Sequence, residues 1–179
     1  MNKIIRAAVG FLGNKLIEES RSYTFDEIFQ SLDISRPIIP DDVSRLNEWL
    51  DENKRNSVTM YYSCTVDKPV LSEGILVKSR MNRLNDVTNG YVPLFITQDG
   101  ATEFAKYNNY YGTQGMYSVD IPIYKLKTDS YRSFSVEYML YLQEYKIRIE
   151  SESVGRSLIF GGSAYVKMNI PPNLITKIE

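Results

Sequence analysis

The chain contains no histidine among its 179 residues. That absence removes every Ser-His, Cys-His and histidine-metal mechanism from the chain acting alone. Catalysis would have to run on carboxylates, tyrosine, lysine, arginine or binding energy. Cysteine is almost as scarce: Cys64 is the only one, so no internal disulfide can form and a reducing, cytoplasmic setting is expected. It lies in the apolar run MYYSCTV, where a buried, inert thiol is the simpler reading than a nucleophile. A net charge of −1 offers no field to gather polyanions, which makes RNA a less natural partner than protein. Long apolar runs are missing too. Ala7–Leu12 is too short for a signal peptide and is followed by Asn14 and Lys15, and nothing reaches the length of a membrane span.

What is present suffices for a core. Hydrophobic residues make up 43% of the chain, and its length fits one domain with a small helical appendage. Residues 1–56 read as an N-terminal helical segment packing on a main α+β domain at 57–179. Ile4, Ile5, Ala8, Leu12 and Leu16 fall near one helical face, and Thr24 with Glu27 spells a capping box. After the breaks at Pro37 and Pro40, Asp41 or Asp42 is expected to cap a helix burying Val43, Leu46, Trp49 and Leu50.

From Ser57 the pattern turns to strands. Val58–Val66 is β-rich, Pro69 starts a helical turn that Gly74 ends, and residues 78–90 form a polar loop with Lys78, Arg80 and Arg83. Tyr91–Thr97 reads as a strand, Asp99 as the cap of a helix with Ala101, Phe104 and Ala105 facing back, and Met116–Ile123 as the next strand. Tyr124–Asp129 reads as a connection, Ser133–Tyr145 as a helix and Ile147–Ser151 as a strand. Gly155, Gly161 and Gly162 act as punctuation before strands at Ala164–Met168 and Leu174–Ile178. Of 14 tyrosines only Tyr23 and Tyr165 lie outside residues 61–145, consistent either with an aromatic-lined cleft or with the β-preference of tyrosine.

The order of these pieces resembles the ADP-ribosyltransferase fold, in particular its His-Tyr-Glu branches of bacterial toxins and RNA phosphotransferases. Tyr62-Ser63-Cys64-Thr65 stands where that family has a first strand of the type Y-H-G-T, and Glu73-Gly74-Ile75 where it has E-G-[IL]. Leu94-Phe95-Ile96-Thr97-Gln98-Asp99, running on to Ala105 and Tyr107, follows its L-Y-L-T-x-D strand and helix. Val119-Asp120-Ile121 and Ile170-Pro171-Pro172-Asn173-Leu174-Ile175 match two later segments. The resemblance covers about two-thirds of the chain. It implies a split pair of small mixed β-sheets with NAD bound between them. Ser63 and Thr65 would hold the adenosine ribose, and Phe95 with Tyr107, or Tyr110 or Tyr111 in its place, would sandwich the nicotinamide. No metal is implied.

The family's histidine position is Ser63, and its late-strand glutamate falls at Ser163 or Ala164, neither of which carries charge. The resemblance therefore implies a degenerate, non-catalytic relative that binds a macromolecular partner, protein before RNA, and retains at most a nucleotide pocket. The alternative is an active mono-ADP-ribosyltransferase with a rearranged site. Glu152 or Glu150 would then supply the carboxylate that stabilises the oxocarbenium-like transition state, since Glu150-Ser151-Glu152 places two carboxylates on one side of an extended segment. An RNA-binding or RNA-processing module is the weaker alternative.

Overall fold

The computed structural model describes residues 21–65, 69–77, 91–107, 114–128, 143–144 and 153–178. Its central feature is the antiparallel pairing of β2 (Ser57–Thr65) with β4 (Gln114–Pro122), running from Ser57 opposite Pro122 to Thr65 opposite Gln114. The register places Val58 opposite Ile121, Met60 opposite Val119, Tyr62 opposite Tyr117 and Cys64 opposite Gly115. Successive side chains of a strand point to opposite faces, so these four rows form one continuous buried face.

Among the described residues seven strands share the sheet. β3 (Val92–Phe95) follows β2, β6 (Ser163–Val166) follows β3, and β5 (Leu126–Lys127) forms one edge, with β7 (Ile175–Ile178) beyond β4 at the other. All these neighbours are antiparallel. β1 (Ser22–Tyr23) pairs in parallel with the start of β2. The protein is thus α+β. The group β5-β6-β3 meets the group β1-β2-β4-β7 at a single ladder pair, Tyr61 opposite Phe95, because β1 occupies the first residues of the same edge of β2.

The principal core lies between the buried face and the helices α1 (Phe25–Ser31), α2 (Pro40–Glu52), α3 (Val70–Glu73) and α5 (Val154–Gly161). Phe25, Ile28, Val43, Leu46 and Leu50 meet Val58, Met60, Val119 and Ile121 there. Helix α4 (Gln98–Tyr107) packs on the opposite face.

Local chemistry explains the helix ends. Thr24 caps α1 as expected: its hydroxyl accepts from the Glu27 N–H at 3.3 Å, and the Glu27 carboxylate accepts from the Thr24 N–H at 2.9 Å. In α2 the acid acts from inside the first turn instead. Pro40 opens the helix and the Asp42 carboxylate accepts from the Ile39 N–H at 2.9 Å while pairing with Arg45, which also donates to the Leu32 carbonyl. Trp49 takes a packing role, with the Tyr23 ring 5.1 Å away and nearly perpendicular.

Three expectations are corrected. The N-terminal segment is not wholly helical, since Ser22 and Tyr23 join the sheet. The connection after Tyr124 includes the edge strand β5, which extends the sheet through Leu126 opposite Val166. The glycine-punctuated stretch is the buried helix α5: Ser153 accepts from the Arg156 N–H at 3.2 Å, and Gly162 closes the helix in a left-handed conformation at φ 61°. The helix and strand expected across 133–151 lie outside the described residues, except Gln143 and Glu144, which are helical and exposed.

Two predictions follow from these details. The N–H and hydroxyl of Thr24, and then Arg21, hold the Glu27 carboxyl below its ordinary value. A lowered native value stabilises the fold above the unfolded value, and that stabilisation is lost as pH falls through the native one. Glu27→Gln should therefore lower the melting temperature at neutral pH, and the gap to wild type should close on acidification; a gap independent of pH would contradict the capping role. Gly74 has φ 84°, and a Cβ there would lie 2.2 Å from the Ile170 carbonyl oxygen, which accepts from the Ile75 N–H. Gly74→Ala should cost roughly 2–4 kcal/mol in urea denaturation, and a loss comparable to an ordinary surface substitution would contradict that close approach.

Candidate functional site

The second face of the sheet carries the residues singled out by the family resemblance. On β2 it presents Thr59, Tyr61 and Ser63, on β4 Met116, Ser118 and Asp120, on β3 Phe95, and on β6 Ser163 and Tyr165. Phe95 lies between Tyr61 on one side and Ser163 on the other, so the first aromatic of the resemblance neighbours one of the two positions open to the late-strand glutamate, while the other, Ala164, pairs with Leu94 on the core face. Ser63 stands on the same face two residues along β2 from Tyr61.

Helix α4 covers this region, and its local sequence explains how. Thr97, rather than the expected Asp99, provides the side-chain cap, its hydroxyl accepting from the Gly100 N–H at 3.1 Å. A Cβ on Gly100 would lie 3.2 Å from the Thr97 hydroxyl and 3.4 Å from the Phe95 ring, so glycine lets the first turn settle on that ring. Ala101 and Ala105 are fully buried beneath the helix, and Phe104 meets Phe95 at a centroid distance of 5.2 Å and an interplanar angle of 39°. Tyr61 and Met116 pack against this cluster.

The result is a closed arrangement. Ser63 is 3% exposed, Phe95 1% and Ser163 0%. The Ser63 hydroxyl lies 3.5 Å from the Gln114 amide oxygen, at the long limit of a hydrogen bond, and the Ser163 hydroxyl donates to the Gly161 carbonyl at 3.3 Å. These groups supply hydroxyl and amide hydrogen bonding and an aromatic surface, but no charge. Tyr107 closes α4 and Thr65 closes β2, which fixes their backbone positions. Glu150, Glu152, Tyr110 and Tyr111, with Lys78, Arg80 and Arg83, lie outside the described residues.

Two further residues take structural roles. The Asp120 carboxylate accepts from both the Ser22 and Thr59 hydroxyls at 2.7 Å, fastening β1 and β2 to β4. Its place in the Val119-Asp120-Ile121 motif gave no sign of this, because Ser22 is distant in sequence. Cys64 is buried on the core face beside Tyr117, whose phenol is pushed up by burial and then by the neighbouring thiol. The thiol is thus a core group, as its apolar surroundings suggest.

Among the described residues there is no cluster of three or more histidine, cysteine or acidic side chains able to hold a metal, and no helix long and apolar enough to cross a membrane. Comparison of the chain with family models, curated proteins and solved structures finds no match.

The role given to Asp120 is open to test. Asp120→Ala removes the carboxylate that accepts from two half-buried hydroxyls, leaving them only each other at 3.1 Å, and should lower stability by about 1–3 kcal/mol, with early loss of amide-exchange protection at Tyr23 and at Ser57, whose N–H donates to the Arg21 carbonyl. Unchanged protection there would show that β1 is held by other contacts.

Proposed function

We propose that this chain is a non-catalytic binding protein on an ADP-ribosyltransferase-like scaffold, acting through a protein partner rather than by consuming NAD. The observation that carries this reading is the packing of Phe95 on Phe104. In the resemblance, Phe95 is the ring that stacks on nicotinamide; here that ring lies against α4 and is 1% exposed. An incoming nicotinamide would have to displace an intramolecular aromatic contact worth about 0.5–1.5 kcal/mol beyond its burial.

Two other features support the scaffold. The strands divide into two groups meeting at one ladder pair, which is compatible with two small sheets joined at a seam. Ser63, at the family's histidine position, and Ser163 and Ala164, the two positions open to its glutamate, are all neutral and buried; Ser163 shares the face of Ser63, and Ala164 turns to the core. Transition-state stabilisation at a developing oxocarbenium centre needs a nearby negative charge, which neither serine supplies.

The test is calorimetric titration of the full chain with NAD, followed by assay of the same sample for free nicotinamide. Neither saturable heat nor released nicotinamide is expected. Saturable binding without release would mean that the scaffold kept a nucleotide pocket. Binding with release abolished by Glu152→Gln, at an unchanged melting temperature, would overturn the proposal in favour of a transferase using that carboxylate.

A further inference from the structure

On the opposite side of the sheet from α4, the end of α2 forms a recess with the segment after β4. Asn47, Leu50 and Asp51 share one face of α2, and Lys54 lies in the turn just beyond its end. They face the 3-10 turn Ile123–Lys125, Leu126 of β5 and Val154 at the start of α5 across a shallow depression of about 280 Å³ that is open to solvent. This volume is near the lower end of ligand pockets and suits one large side chain.

The chemistry of the walls narrows the occupant. Leu50, Ile123 and Leu126 form a buried apolar floor beside Val154. The Asn47 amide is engaged at both ends, its nitrogen donating to the Ser153 hydroxyl and its oxygen accepting from the Gly155 N–H, each at 2.9 Å. It joins α2 to α5 and is not turned toward a polar guest. A floor of this kind suits an aliphatic or aromatic side chain better than a base edge that needs hydrogen-bond partners. Tyr124 lines the recess with 59% of its surface exposed, the most exposed of the large apolar side chains among the described residues, and tyrosine is a frequent anchor of protein interfaces.

Charge at the mouth sets the flanks. The Lys125 ammonium lies 4.9 Å from the Tyr124 ring centroid. Lys54 meets Asp51 at 3.5 Å, with 60% and 81% of the two side chains exposed, so the pair is weak and exchangeable. Lys127 follows, exposed, on the edge strand.

We infer that this recess is the docking point for a peptide segment of a partner protein, in which one aromatic or large aliphatic residue enters between Leu50, Ile123 and Leu126, and flanking acidic residues meet Lys54 and Lys125. The inference rests on the binding-protein reading and specifies the surface that reading requires.

The test is selection of peptides from a random library on the full chain, with affinities measured by fluorescence anisotropy of the synthesised peptides. The expected peptides carry an aromatic or large aliphatic residue with aspartate or glutamate beside it. Their affinity should fall roughly tenfold with Tyr124→Ala, fall again with Lys54→Glu and Lys125→Glu together, and weaken with added salt. Tyr124 and Lys54 are exposed and Lys125 is half-buried, and thermal melts would verify that the fold is kept. Selection of no peptides, peptides without acidic flanks, or binding indifferent to Tyr124→Ala would overturn the inference. So would a single-stranded RNA oligonucleotide that displaces the peptides and loses affinity with Tyr124→Ala. NAD turnover alongside recess-dependent peptide binding would remove the non-catalytic reading while leaving the docking surface in place.

Discussion

The ladder between β2 and β4 is the constraint on which the rest of the structure depends. Val58, Met60, Tyr62 and Cys64 alternate with Thr59, Tyr61, Ser63 and Thr65, and β4 alternates in the matching phase. A slip of one residue would turn every apolar side chain of β2 to the wrong face. With the phase set, helices α1, α2, α3 and α5 have one surface to cover, and the principal core follows from that demand. The opposite face carries hydroxyls, Asp120 and a few rings, and Gly100, Ala101 and Ala105 let α4 lie closely on it.

That asymmetry also separates the two surfaces considered for function. The face beneath α4 has the residue types of a flat-ligand site, but its rings pack on one another and its hydroxyls are bonded within the chain. The recess at the end of α2 has an apolar floor, an exposed tyrosine and weakly paired charges. Internally satisfied groups favour structure, and an exposed aromatic side chain beside exchangeable charge favours association. The functional reading follows from this contrast.

Much of the fold was legible because its signals are local. Thr24 with Glu27 marked α1, the spacing of Val43, Leu46 and Leu50 marked α2, and the small residues of α4 marked the face it buries. The failures share a cause. β1 and β5 are two residues long and carry no periodicity of their own; they are strands because β2 and β6 offer open edges. Gly155 and Gly161 suggested punctuation, but burial of Leu158, Ile159 and Phe160, with a cap at each end, outweighs the helix cost of glycine in α5. The alternation of β2 and β3 made it legible that Ser63 and Phe95 lie on strands, whereas their sharing a face with Ser163, and the closure of that face by Phe104, depend on strand register and on how α4 docks.

The sequence by itself determined the chemistry open to this protein and the phase of its central strands. Composition rules out histidine mechanisms for these residues acting alone and a disulfide within them, and period-two alternation is a property of neighbouring residues along one chain. Only the tertiary structure decided which polar groups remain available. Asp120 became a fastener for Ser22 and Thr59, Asn47 a brace between α2 and α5, and Phe95 a partner for Phe104. Each of these pairings but the last joins residues far apart in sequence, and whether a side chain is satisfied or exposed depends on what the fold brings beside it rather than on its own neighbours in the chain.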